Sequence, residues 1–167
     1  MGLFDRAGLP AADFRSLAAA TGRRIRVLAW AHGVDGPVVG LADRLAMRDA
    51  DGWSFVPWHE ITSGGWDSAD GRLRWRLTDG ADGAVLLRDP GSLPDLFRER
   101  VDASIVVQER FDLSRGRVAM IVARRPLDDG HSPLLWTVTR HGGGFDTAQI
   151  DQADAELARL RAEYDIG

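Results

Sequence analysis

The 167-residue chain contains no cysteine, no lysine and no asparagine. Without cysteine there is no disulfide, no thiolate nucleophile and no cysteine-ligated zinc or iron–sulfur centre, which suits a reducing cytoplasm. Without lysine, all 21 basic residues are arginine. Lysine and asparagine have A-rich codons, so their joint absence points to a G+C-rich bacterial genome rather than to a demand for guanidinium. Positive charge is also in deficit: a net charge of −4 argues against a general polyanion binder, because phosphate binding needs a basic excess on at least one face. No uncharged apolar run approaches the roughly 18 residues of a membrane span, and residues 1–6 lack the basic-then-apolar order of a leader peptide. The expectation is a cytoplasmic chain, neither inserted nor exported. There is no low-complexity block and no run of like charge, so a folded chain of ordinary domain size is expected.

What the sequence does contain is rhythm. From Arg23 to His141, short alternating or β-branched runs recur about every ten residues between Asp-Gly, Gly-Gly and Gly-Pro punctuation, the spacing of an antiparallel sheet folded on itself. A short helix precedes it, with Pro10 in its first turn, Phe14, Leu17 and Ala18 on one side and Gly22 as its stop. The alternation Ile25, Val27, Ala29 predicts a strand to about Ala31. Residues 38–41 and 45–48 make either two strands or one bent strand, and strands over 53–58 and 61–67 follow, with a hairpin at Asp51-Gly52 and with Gly64-Gly65 marking a bulge or barrel corner. Asp70-Gly71 opens the cleanest strand, in which Leu73, Trp75 and Leu77 alternate with Arg72, Arg74 and Arg76. A further strand covers 84–87. Ser92 and Asp95 form a capping-box pattern for a helix that buries Leu93, Leu96, Phe97 and Val101. Three more strands, 104–113, 117–124 and 134–140, lead to a last helix capped by Asp146 with Gln149, its seam carrying Ile150, Ala153, Leu157, Leu160 and Tyr164.

The element order predicts an α+β chain, mainly antiparallel β. A short N-terminal helix lies within 1–22, a partly open seven-stranded barrel closed by a helix spans 23–103, and a β-β-β-α lobe spans 104–167 and packs on the first. The stretches Asp43-Arg44-Leu45 and Pro57-Trp58-His59-Glu60-Ile61, with seven strands and a closing helix, resemble the bacterial pleckstrin-homology-like (PH-like) and GRAM-like domains. The segment from Leu93 to Ser104 is similar to a recurrent segment of uncharacterised actinobacterial proteins of similar length. The resemblance implies a helix-plugged open barrel used for binding proteins, peptides or lipid headgroups, and seldom for chemistry.

The candidate binding residues are few. Period two sets Arg72, Arg74 and Arg76 on one face about 7 Å apart, close enough to act together on carboxylates or phosphates; the same spacing suits a solvated face whose arginines pair with acids on a neighbouring strand. Of the six tryptophans, most belong in the barrel core, while Trp53 and Trp136, beside turns, are candidate contact residues. His59 and Glu60, adjacent on an expected strand, would point to opposite faces and so cannot share a site. His32, His131 and His141 have no histidine partner at ligand spacing, so no metal and no cofactor are expected. Gly142-Gly143-Gly144 precedes a helix but lacks phosphate-loop spacing, and Asp146 holds the cap. No G-x-S-x-G elbow is present, and no catalytic residue is assigned.

These features favour a non-enzymatic cytoplasmic interaction module that binds a protein partner or an anionic surface such as lipid, with a homodimer open. One alternative is RNA binding by a helix, three strands and helix over 92–164, disfavoured because Asp146, Asp151 and Asp154 crowd the start of the last helix. Another is a small enzyme in the barrel mouth.

Overall fold

The computed structural model describes residues 6–128 and 130–165. The chain divides into two units, one formed by the residues through Ser104 together with a short stretch from Pro126, the other by those from Ile105 to Arg125 and from His131 onward.

The first unit is built on strands β1 (Ala29–Gly33), β2 (Pro37–Gly40), β3 (Arg44–Asp49), β4 (Gly52–Pro57), β5 (Ile61–Asp67), β6 (Arg72–Leu77) and β7 (Asp82–Asp89). They form one antiparallel sheet in the order β4-β3-β2-β1-β7-β6-β5. In a flat sheet β4 and β5 would stand about 29 Å apart, six spacings of about 4.8 Å. Only the 3₁₀ turn Trp58–Glu60 joins them, and a link of that length reaches about 14 Å at most. The sheet therefore curls into a half-barrel, and its two ends meet at this turn.

Helix α2 (Leu93–Ala103) fills the concave side, where Leu93, Phe97 and Val101 pack with Ala29, Ala31, Val38, Leu45, Val56, Trp58, Ile61, Leu73, Trp75 and Leu87. Two glycines let it come close. A Cβ on Gly40 would lie 2.3 Å from Leu96 Cδ2, and one on Gly64 would lie 2.9 Å from Phe97 Cζ and 2.4 Å from the Arg74 carbonyl oxygen. Trp58 has no exposed surface; its indole N–H donates to the Leu41 carbonyl at 2.9 Å and its ring meets Phe97 edge-on at 5.8 Å. The convex side of β1–β4 is covered as well. Helix α1 (Ala11–Thr21) seats Phe14 and Leu17 against Val39, Leu41 and Ala46, and Gly22 ends it in the left-handed conformation at φ 67°. That is why β2 and β3 carry consecutive buried residues, Val38-Val39 and Leu45-Ala46, rather than a simple alternation.

The predicted first strand is shorter than its periodicity. Ile25 and Val27 join the outer cluster while Ala29 and Ala31 join the inner one, so the buried face changes near Leu28 and the ladder begins only at Ala29. The bulge in β5 falls between Ile61 and Ser63, not at the glycine pair. Ser92 makes no side-chain cap, because its backbone sits at φ −90°, ψ 1° rather than in the extended conformation a capping residue adopts.

In the second unit, β8 (Ile105–Asp112), β9 (Val118–Arg124) and β10 (Leu135–His141) form an antiparallel sheet in the order β10-β9-β8. Helix α3 (Thr147–Tyr164) lies on the face that carries Phe111, Ala119 and Val138. Arg159 ties it toward β8 through Glu109 at 3.6 Å, while Asp154 meets Arg140 of β10 at 3.6 Å and Asp165 accepts from the Trp136 indole at 3.1 Å. The expected capping box forms, with Asp146 accepting from the Gln149 amide and the Gln149 side chain accepting from the Asp146 amide. The buried seam, however, is Gln149, Ala153 and Leu160; Ile150 and Tyr164 are exposed at 37% and 44%.

Candidate functional site

Strand β6 is the spine of the strongest candidate. Its inward residues Leu73 and Trp75 are buried in the half-barrel core, which obliges Arg72, Arg74 and Arg76 onto the outer face. Their neighbours there are Ser63, Gly65 and Asp67 on β5 and Asp82, Ala84 and the exposed Leu86 on β7, small or acidic save for that leucine. A trough of about 460 Å³ crosses the three strands, lined by Ser63, Gly64, Arg74, Trp75, Arg76, Asp82, Gly83 and Ala84. Gly83 is required beneath Trp75, because a Cβ there would stand 2.2 Å from the indole nitrogen.

The three guanidiniums have internal partners. Arg74 and Arg72 both bond to Asp70 in the β5–β6 turn, the latter at 3.4 Å, and Arg76 grips Asp82 with two bonds at 2.8 and 3.2 Å. Partial desolvation raises the Asp70 carboxyl, but the bonds from Arg74 and Arg72 outweigh it and hold it below the ordinary range. The Arg76 bond likewise lowers Asp82, and Asp82 raises Arg76. The arginine side chains remain 46–60% exposed, and ion pairs this exposed add little net stability. A multiply charged partner can exchange for Asp70 and Asp82 at low cost.

The two tryptophans singled out from sequence are engaged. Trp53 is half-buried in the outer cluster, donates to Ser16 Oγ of α1 at 2.9 Å and lies under Arg48 at 6.0 Å. Trp136 belongs to the second unit and bonds to Asp165. Trp53 is on β4, not on the strands β5–β7 that carry the arginine face.

Two polar constellations were not singled out from the sequence. Asp43 is only 8% exposed and receives Arg23 at 2.5 Å and Arg44 at 2.8 and 2.9 Å. Burial raises its carboxyl, yet the bonds and charges of Arg44 and Arg23 prevail and lower it. Beside it, Arg23, Arg24, Arg26 and Asp128 line a cavity of about 120 Å³; the signal was the closely spaced run Arg23-Arg24-Ile25-Arg26. In the second unit the buried Gln149 side chain is a hub. Its Nε2 donates to the Ser114 carbonyl at 2.8 Å and to Ser114 Oγ at 3.2 Å, while its Oε1 accepts from Arg117 at 3.0 Å and from the Asp146 amide at 3.1 Å. Sequence marked Gln149 as a cap partner but gave no sign of its burial.

His59 and Glu60 lie in the 3₁₀ turn Trp58–Glu60 rather than on a strand, since the chain must cross there from one end of the sheet to the other. No group of three or more His, Asp or Glu side chains arranged to hold a metal occurs among the described residues. The stretch 92–164 is divided between units: α2 packs inside the first, whereas α3 lies on β8–β10. No helix among the described residues is long and apolar enough to cross a membrane. Comparison with family models, curated proteins and solved structures returns no match.

Proposed function

We propose that the chain is a non-enzymatic interaction module of the cytoplasm, of PH-like or GRAM-like character, whose first unit binds a carboxylate-bearing protein partner across the outer face of β5–β7. One observation carries the reading: Arg72, Arg74 and Arg76 stand in a row on β6, a strand paired on both sides, beside an open trough, and are held by exposed ion pairs to Asp70 and Asp82. Placing cations on a strand fixes their spacing, and alternate acidic residues of an extended partner repeat at a matching interval of about 7 Å. The strand order, the three-residue link between its ends and the helix in the concave face support the PH-like likeness. The absence of cysteine supports the compartment.

The test is binding of a poly-glutamate peptide and of vesicles with and without phosphatidylserine at low salt, with Arg72, Arg74 and Arg76 changed together to Gln. The reading expects peptide binding that weakens as salt rises and is lost in the triple variant. Binding to anionic vesicles alone would reassign the face to a lipid surface. Binding to neither would overturn the proposal.

A further inference from the structure

We propose that the second unit forms a symmetric dimer by pairing β10 with β10 of a second copy, continuing two three-stranded sheets into one of six strands. Unpaired sheet edges invite other strands, and natural proteins guard them with bulges, prolines, charges or covers. Of the sheet edges among the described residues, β4 ends in Pro57 and β5 carries the bulge after Ile61, and these two are joined at the closing seam of the half-barrel. The β8 edge has a bulge that leaves Val106 40% exposed, followed by Glu109, Arg110 and Asp112. By contrast, β10 runs seven residues in unbroken register with β9, contains no proline, and reads Leu-Trp-Thr-Val-Thr before its first charge.

The strand is complementary to itself. Antiparallel pairing centred on Val138 sets Trp136 opposite Arg140 of the second copy, twice over, and Thr137 opposite Thr139. Both are favourable cross-strand combinations, the first bringing a guanidinium to an indole. The pairing is isologous and closed, which limits assembly to two chains.

Helix α3 supplies an independent observation. Ile150, Leu157 and Tyr164 repeat at intervals of seven, a stripe beside the buried seam with Ile150 and Tyr164 exposed. At 100° per residue this stripe falls on the flank of α3 that also carries Asp154 and Asp165, the two residues bonded to β10. Those two contacts place the middle of the stretch from Asp154 to Asp165, between Leu157 and Tyr164, near the level of Val138. The axis that pairs β10 with its copy therefore also brings Leu157 of each chain toward Tyr164 of the other. One operation covers both the unguarded edge and the apolar stripe. A second copy thus fits better than an unrelated peptide, which would cover the edge and leave the stripe exposed.

The experiment uses the full chain and is independent of the arginine-face reading. Sedimentation equilibrium is expected to give twice the 18.3 kDa chain mass, and the exposed-site double variant Ile150→Glu, Tyr164→Glu to give a folded monomer with an unchanged far-ultraviolet circular dichroism spectrum. Because the chain has no cysteine, a mixture of Thr137→Cys and Thr139→Cys chains should cross-link under mild oxidation while Val106→Cys on the β8 edge should not. Amide exchange in β10, but not in β8, should slow as protein concentration rises. A monomer even at about 1 mM, where weak specific complexes still form, would overturn the proposal. So would a dimer that survives the double variant and cross-links through Val106→Cys.

Discussion

Alanine placed at Gly64 and at Gly65 should change stability in opposite directions, although the residues are neighbours and the chemical change is the same. At Gly64 the new Cβ would lie 2.4 Å from the Arg74 carbonyl oxygen, 2.9 Å from Phe97 Cζ and 3.0 Å from Trp75 Cα. Two of those three atoms are backbone and cannot rotate away, so either β5 separates from β6 or α2 lifts from the concave face. Overpacking of this kind costs about 1–3 kcal/mol. At Gly65 nothing stands within 4 Å of the added carbon and φ is not positive. There the substitution mainly restricts the unfolded chain, a gain of about 0.4–1 kcal/mol. At about 2–4 °C per kcal/mol for a chain of this size, Gly64→Ala lowers Tm by about 2–12 °C and Gly65→Ala raises it by about 1–4 °C. Thermal unfolding followed by tryptophan fluorescence reads both, since Trp66 and Trp75 flank the site. Equal shifts for the two variants, or a tolerated Gly64→Ala, would refute the claim that close approach of α2 dictates the glycine.

Trp58→Phe keeps an aromatic ring against Phe97 but strands the buried Leu41 carbonyl, a loss of about 1–3 kcal/mol measurable as a shift in the urea midpoint without a change in m-value. Because Arg44 and Arg23 hold the folded Asp43 carboxyl below its unfolded value, its contribution is fully present above about pH 3.9 and is lost as pH falls through the lower folded value. Stability of the wild type and Asp43→Asn, compared by urea titration from neutral to acid pH, should therefore converge at the acid end. Gln149→Leu, which matches shape but removes four hydrogen bonds, should destabilise by about 1–3 kcal/mol or more and speed amide exchange in the first turn of α3.

Much of the architecture is legible in residue order because each local choice agrees with the next. Asp51-Gly52 and Asp70-Gly71 mark hairpins that form, and the alternation of β6 places Leu73 and Trp75 inside and the arginines outside. What was not legible depends on covering layers. Periodicity cannot show that α1 buries the convex side of β2 and β3, so Val38-Val39 reads ambiguously. Nor can it show the change of face near Leu28, or the burial of Gln149 in place of Ile150, since each is settled by a neighbour distant in sequence. The arginine row was visible, as was pairing with acids on a neighbouring strand: the ladder register identifies Asp82 as that partner of Arg76, while Arg72 and Arg74 turn instead to Asp70 in the hairpin.

The first unit is discontinuous in the chain, because Leu127 packs against the half-barrel core from beyond β9. During synthesis, all seven strands and the plugging helix emerge before this last side chain, with two strands of the other unit made in between. The partly buried Leu127 can join that core only after β8 and β9 have been made, so the last contact of the first unit waits on translation of part of the second. A fragment ending at Ser104 therefore retains every strand of the half-barrel but loses the contact that Leu127 makes with its core.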